Sequence, residues 1–294
     1  MPDRLIPPGA RQEWVDTRYG RLRVLTGGDA DDRIPVVLVH GGGCDNAAIS
    51  WCRAFAPLAA ARRVIAIDLP GFGGSLDAAP VGGPRQLAAV VAEVMELLDT
   101  GPAVVMGVSM GGDLALNLTL AHPDLVAGLV LIAPGGLTPR IRDARTHYWI
   151  WLAAQTPDWL LLPLARVANR FVGPVLRSLV KDPSTLPAEV FTEFTREARQ
   201  PRGGIAFGRY NQATVGQHQM LNDLSDQVGR IAVPALFFHG LDDPAVNPDD
   251  SRRAVARMPQ ARLVLVPDCG HWAQLEAHDR FLAEVEQFLA ERHG

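Results

Sequence analysis

Short apolar runs punctuate the chain at 34–39, 64–67, 103–108, 126–133, 235–238 and 263–266. Each is too short for a helix, and several are rich in β-branched residues. They are continuous rather than alternating, the pattern of parallel strands covered on both faces. Residues 13–27 instead alternate around Tyr19-Gly20 and predict a β-hairpin. Helical periodicity fills the gaps at 53–61, 85–98, 110–122, 252–258 and 278–291. The alternation predicts a doubly wound, mostly parallel α/β sheet with an antiparallel start.

Strand signal lapses between 139 and 230, where helices are expected over 145–154, 159–171, 174–179, 187–199 and 205–215. The expected organisation is a core of 1–138 and 231–294 with a helical cap inserted at 139–230. The insert holds Trp149, Trp151 and Trp159, with Tyr148, Phe171, Phe191, Phe194, Phe207 and Tyr210. Most of these rings are expected to form the cap's own core, and some to line an apolar pocket.

In open α/β sheets, chemistry collects beyond the carboxyl ends of the strands. His40-Gly41, Asp68, Ser109, the Gly240 loop and the Cys269-Gly270-His271 loop all fall there. Gly107-Val108-Ser109-Met110-Gly111 follows one strand and opens a helix, which is the strand–turn–helix setting of a G-x-S-x-G nucleophile. Bulky neighbours would collide with the strand and helix flanking so sharp a turn.

A serine hydroxyl needs a base to attack at neutral pH. His271 follows the last strand in a Gly-preceded loop, unlike the other histidines, which fall on helices, tails or a strand end. The imidazole needs an orienting acid. Asp243, three residues after the strand-ending Gly240, is the candidate, with Asp242 its rival. An oxyanion needs two aimed N–H donors, expected from Met110 and Gly42. Gly43, Val108, Trp272, Trp149 and Phe194 are the candidates for substrate contact. His40 is expected to hold the glycine loop by hydrogen bonds, and Asp68 to build a turn without catalytic duty.

Composition narrows the partners. The net charge is −4 with both signs interspersed, and no basic stripe suggests nucleic acid. Lys181 is the only lysine. Cys44, Cys52 and Cys269 show neither metal nor redox spacing and fit a reducing compartment. No apolar run reaches membrane-spanning length, and the first residues lack a signal pattern. The expectation is a cytoplasmic protein with a small-molecule substrate, no metal or organic cofactor, no nucleic acid or membrane partner, and room for a homo-oligomer.

His40-Gly, Asp68-Leu-Pro-Gly-Phe-Gly, Gly-x-Ser109-Met-Gly-Gly, Gly240-x-x-Asp243 and Gly270-His271 occur in the order that resembles the α/β-hydrolase superfamily over about 20–292. Within it, His40-Gly-Gly-Gly, Ser109-Met-Gly-Gly, Ala133-Pro-Gly-Gly-Leu137 and Cys269-Gly-His-Trp-Ala-Gln-Leu-Glu276 look like the meta-cleavage product hydrolases. That resemblance implies cleavage of a C–C bond in vinylogous diketones. The chain departs from the family in three places. Val108 stands where Asn is usual, Cys44-Asp45 replaces Pro-Gly, and Phe194 falls where a cap arginine binds the substrate carboxylate. Arg196 and Arg199 are the nearest stand-ins. These departures shift the expectation to a serine hydrolase of small, largely apolar esters or acyl compounds, with C–C hydrolysis as the alternative and a non-catalytic binding protein behind both.

Overall fold

The computed structural model describes residues 4–29, 33–157, 160, 163 and 172–291. Eight strands form one sheet in the order β1-β2-β4-β3-β5-β6-β7-β8. They are β1 (Arg11–Thr17), β2 (Gly20–Gly27), β3 (Val36–Val39), β4 (Val64–Ile67), β5 (Ala103–Val108), β6 (Val126–Ile132), β7 (Ala235–Gly240) and β8 (Ala261–Val266). β2 runs antiparallel to both β1 and β4, and β3 to β8 are mutually parallel. The expected doubly wound sheet with an antiparallel start is therefore present.

The continuous apolar runs have a direct structural cause. Along β3, Val37 and Val39 face one core and Val36 and Leu38 the other, and Phe237 and Phe238 divide likewise on β7. One face is covered by α3 (Pro84–Leu97) and α4 (Met110–Ala121). The other is covered by α1 (Ala47–Trp51), α2 (Phe55–Ala59) and the C-terminal helix, whose Phe281 meets Phe238 edge-to-face at 5.4 Å.

Helix starts differ from the sequence expectation where caps decide them. The helix expected over 53–61 is the shorter α2, and an unexpected helix, α1, precedes it. Asn46 caps α1 by accepting from the Ile49 N–H at 2.9 Å. Pro57 then confines α2 to a start at Phe55, because proline fits only a first turn. The helix expected at 252–258 is α9 (Pro248–Val255), begun by the Asn247 cap and Pro248.

Between β6 and β7 the described chain is helical. It contains α5 (Ala144–Ala154), α6 (Val172–Ser178), α7 (Ala188–Arg199) and α8 (Ile205–Thr214), with one isolated bridge between Val215 and Met220. The helix expected at 159–171, with Trp159 and Phe171, lies outside the described residues apart from Leu160 and Pro163. The chain closes with α10 (Ala273–Glu276) and α11 (His278–Ala290). Among the described residues no helix is long and apolar enough to cross a membrane.

Candidate active site

Ser109 lies between β5 and α4 at φ 53° and ψ −116°. A non-glycine residue there carries strain on the order of 1–3 kcal/mol. The flanking glycines make the turn feasible, since a Cβ on Gly107 would overlap the Gly111 carbonyl. The turn is pinned by the Ser109 N–H donating to Ile132 O at 2.9 Å and by the Gly135 N–H donating to Ser109 O at 2.8 Å. The Ser109 hydroxyl donates to no described residue. Met110 is the first residue of α4, so its N–H has no partner in the helix.

Asp243 sits in the loop after β7. Its Oδ2 accepts from His271 Nδ1 at 2.7 Å and from His239 Nε2 at 3.1 Å. Its Oδ1 accepts from the backbone N–H groups of Ala245 and Val246 at 2.7 and 3.0 Å. The side chain is fully buried. Burial opposes its charge, but His271, His239 and the Val246 N–H outweigh that and hold the carboxyl well below the usual carboxylate range. Asp242, the rival, is exposed and pairs with Lys181 at 3.3 Å.

His271 is buried, and its N–H donates to Leu179 O of the insert at 2.7 Å. That bond ties the His271 loop to the segment after α6. Gly270 donates to Glu276 Oε2 at 2.7 Å, and Glu276 Oε1 accepts from the Asp182 N–H at 2.6 Å.

A cavity of about 560 Å³ opens over the elbow. Ser109, Met110, Gly135, Phe207, Tyr210 and Asp243 line it, with Arg140 and Arg142 from the segment after β6 and Arg253 from α9. Arg253 is taken up by Asp250, and Arg140 donates through Nε to His218 O at 3.0 Å. Arg142 has no hydrogen bond or ion pair among the described residues.

Several expected substrate contacts lie elsewhere. Trp149 is 58% exposed, because its helix turns His147 inward and hydrogen-bonds that ring to Gly216 O at 2.8 Å. Phe194 and Trp272 are buried against each other at 5.7 Å in the apolar cluster that also holds Val108. None of these four lines the cavity, and neither does Gly43, whose Cβ position faces open space. Gly42 has no donor bond from its N–H among the described residues, and the Phe207 ring lies against it. Arg196 is paired with Glu193 at 3.2 Å, and Arg199 faces an outer groove, so neither stand-in reaches the cavity.

Supporting residues complete the frame. His40 Nε2 accepts from the Leu69 N–H at 3.2 Å, which leaves Nδ1 to donate to Gly41 O at 2.7 Å. Asp68 is buried on Arg23 at 3.1 Å and binds the Ala47 and Gly74 N–H groups, joining the segment after β4 to β2 and to the start of α1. Sequence reasoning passed over His239, whose spacing of four before Asp243 was the available signal. It also passed over Asp113 in the first turn of α4. Asp113 accepts from Tyr210 Oη at 2.5 Å, Asn222 Nδ2 at 2.6 Å and Asn117 Nδ2 at 2.8 Å. Burial nevertheless raises its carboxyl to about 6. The three thiols are pushed up to about 12, chiefly by burial, which removes them as nucleophiles. Among the described residues no group of three acidic, His or Cys side chains is placed to hold a metal.

The sequence profile of the α/β-hydrolase fold matches residues 34–278. The chain belongs to the α/β-hydrolase fold family. This hydrolase is 33% identical over 268 residues to a 2-hydroxy-6-oxononadienedioate/2-hydroxy-6-oxononatrienedioate hydrolase of Burkholderia vietnamiensis, covering 86% of each chain. It is 30% identical over 256 residues to the dihydrolipoyllysine-residue acetyltransferase component of an acetoin cleaving system of Pseudomonas putida. That match covers 87% of this chain and 63% of the relative. In fold it is similar to a 2-hydroxy-6-oxo-6-phenylhexa-2,4-dienoate hydrolase from Rhodococcus sp. strain RHA1. The TM-score is 0.74 at 23% identity, covering 95% of this chain and 98% of the other.

Proposed function

We propose that this hydrolase cleaves the carbon–carbon bond beside a ketone in a small anionic 2-hydroxy-6-oxodienoate. The carrying observation is that Ser109 shares its cavity with Arg140 and Arg142, the latter unpartnered among the described residues. An anionic substrate is drawn to that cavity, and a neutral ester gains nothing from its charge. The relative of similar length named for hydrolysis of such dienoates supports the same choice. This reading takes the alternative of the sequence analysis over its first expectation.

In this proposal the insert over 139–230 acts as the cap. His271 Nε2 accepts the Ser109 proton while Ser109 Oγ bonds to the ketone carbon. The Gly42 and Met110 N–H groups hold the oxyanion. Asp243 fixes the His271 Nδ1–H tautomer and stabilises the imidazolium. Once the substrate's enol has taken a proton on carbon, the departing carbon can carry the bonding pair into the conjugated carbonyl as a dienolate. The bond breaks, and His271 returns its proton to that fragment. Water, activated by His271, then releases the acyl group from Ser109.

The reading is tested by comparing kcat/KM on 2-hydroxy-6-oxohepta-2,4-dienoate with that on p-nitrophenyl acetate and butyrate. Loss of the dienoate chromophore at far higher efficiency than ester turnover is expected, and Ser109→Ala should abolish both. Faster turnover of the esters with the dienoate untouched would overturn it. Val108, apolar where the C–C hydrolases carry Asn, favours that second reading as an esterase.

A further inference from the structure

Phe207 lies on α8, three residues before Tyr210, and the two rings stack at 5.9 Å with 11° between their planes. Tyr210 is buried, and its hydroxyl is held by Asp113 of α4 at 2.5 Å. On the other side of Phe207, Ala206 is buried in the cluster that contains Leu69, Phe72 and Met110. α8 is therefore seated on the core at both neighbours of the ring. The edge of the ring meets the glycine loop so closely that a Cβ on Gly42 would overlap it. The ring also faces the cavity beside Ser109 and Met110. It is half-buried, in contact with loop, helix and cavity at once.

We infer that Phe207 is a specificity-determining residue, a fixed apolar wall that limits the group on the attacked carbonyl carbon to a methyl or short alkyl chain. The inference rests on the Ser109 reading above. A carbonyl oxygen between the Gly42 and Met110 N–H groups leaves two substituents to place. The anionic arm goes toward Arg140 and Arg142, and the other lies under Phe207. A mobile ring would swing aside for a bulky acyl group. This one is braced through Tyr210 into the same helix that begins at Met110, so a large group can enter only by disturbing the elbow.

The test measures kcat/KM for two matched pairs: 2-hydroxy-6-oxohepta-2,4-dienoate against its 6-phenyl analogue, and p-nitrophenyl acetate against the benzoate. Wild type should favour the small member of each pair. Phe207→Ala should move the ratio toward the phenyl member on the order of 10-fold or more, and Phe207→Leu by less. Tyr210→Phe, which releases the Asp113 brace, should move it the same way. A purely structural role for the ring would lower both members alike. An unchanged ratio in the Ala and Leu variants, or a wild type that already prefers phenyl, overturns the inference. If Phe207→Ala does not fold, as judged by circular dichroism, the Leu variant carries the test. If only the esters are turned over, the C–C reading falls and their ratio still reports on the wall. Failure of a fluorophosphonate to label wild-type Ser109 removes the serine reading separately.

Discussion

Four donors converge on the Asp243 carboxylate, and two of them are imidazoles. His239 Nε2 faces both Asp243 Oδ2 and Val246 O, so it must carry the proton, and Nδ1 accepts from Ser251 Oγ at 2.8 Å. On the proposed mechanism, Asp243→Asn should lower kcat on the order of 10⁴-fold by allowing the wrong His271 tautomer. Asp242→Asn should change it little, since that carboxylate is exposed on the Lys181 side. Steady-state kinetics on the two variants decide the assignment. His239→Leu should weaken turnover more than His239→Gln, because glutamine retains an N–H for Oδ2. Held low by its partners, Asp243 stabilises the fold throughout the range above ordinary carboxylate titration and loses that contribution progressively as pH falls below it. Spacing from Gly240 singled out in the sequence the carboxylate that the fold places on His271. His239 was hidden because a histidine inside an apolar strand reads as core until the loop folds back on it. Trp149 misled for the opposite reason: ring size suggests burial, but the inward face of its helix was claimed by His147.

The parallel strands were legible because their side chains face two apolar cores, one on each side of the sheet. Helix ends were less legible, because one capping side chain outweighs the periodicity around it. Asn46 illustrates this. It caps α1, is fully buried and also donates to Glu193 of α7 at 3.4 Å. Asn46→Ala should destabilise the protein by about 1–2 kcal/mol, read from the urea midpoint, since a buried cap lost also leaves the Ile49 N–H without its partner. Pro57 sits in the first turn of α2, where a helix tolerates proline, so Phe55 begins a new helix rather than one that continues α1.

The order of the motifs along the chain was enough to foresee the sheet and the convergence of its loops. The seating of the helical insert was not foreseeable, because it depends on polar groups that meet only in three dimensions. Glu193 and Glu197 of α7 are buried, and Arg4 pairs with both. Burial, and then the nearness of Glu193 and Asp68 against the pull of Arg4, raises the Glu197 carboxyl to about 7. A raised carboxyl means that the folded chain prefers the protonated form. Stability should therefore fall as pH rises from about 4.5 to about 7 and level off above. Tm measured across that window should lose this slope in Glu197→Gln, and a parallel slope in both proteins would assign it to other groups. The pairing of Lys181 with Asp242, close to the Leu179 carbonyl that holds His271, has a practical corollary. With one side-chain amine in the whole sequence, an amine-reactive fluorophore applied after the α-amino group has been blocked would mark a single half-exposed position next to the His271 loop. Its emission would then report on the docking of insert against core from one defined spot.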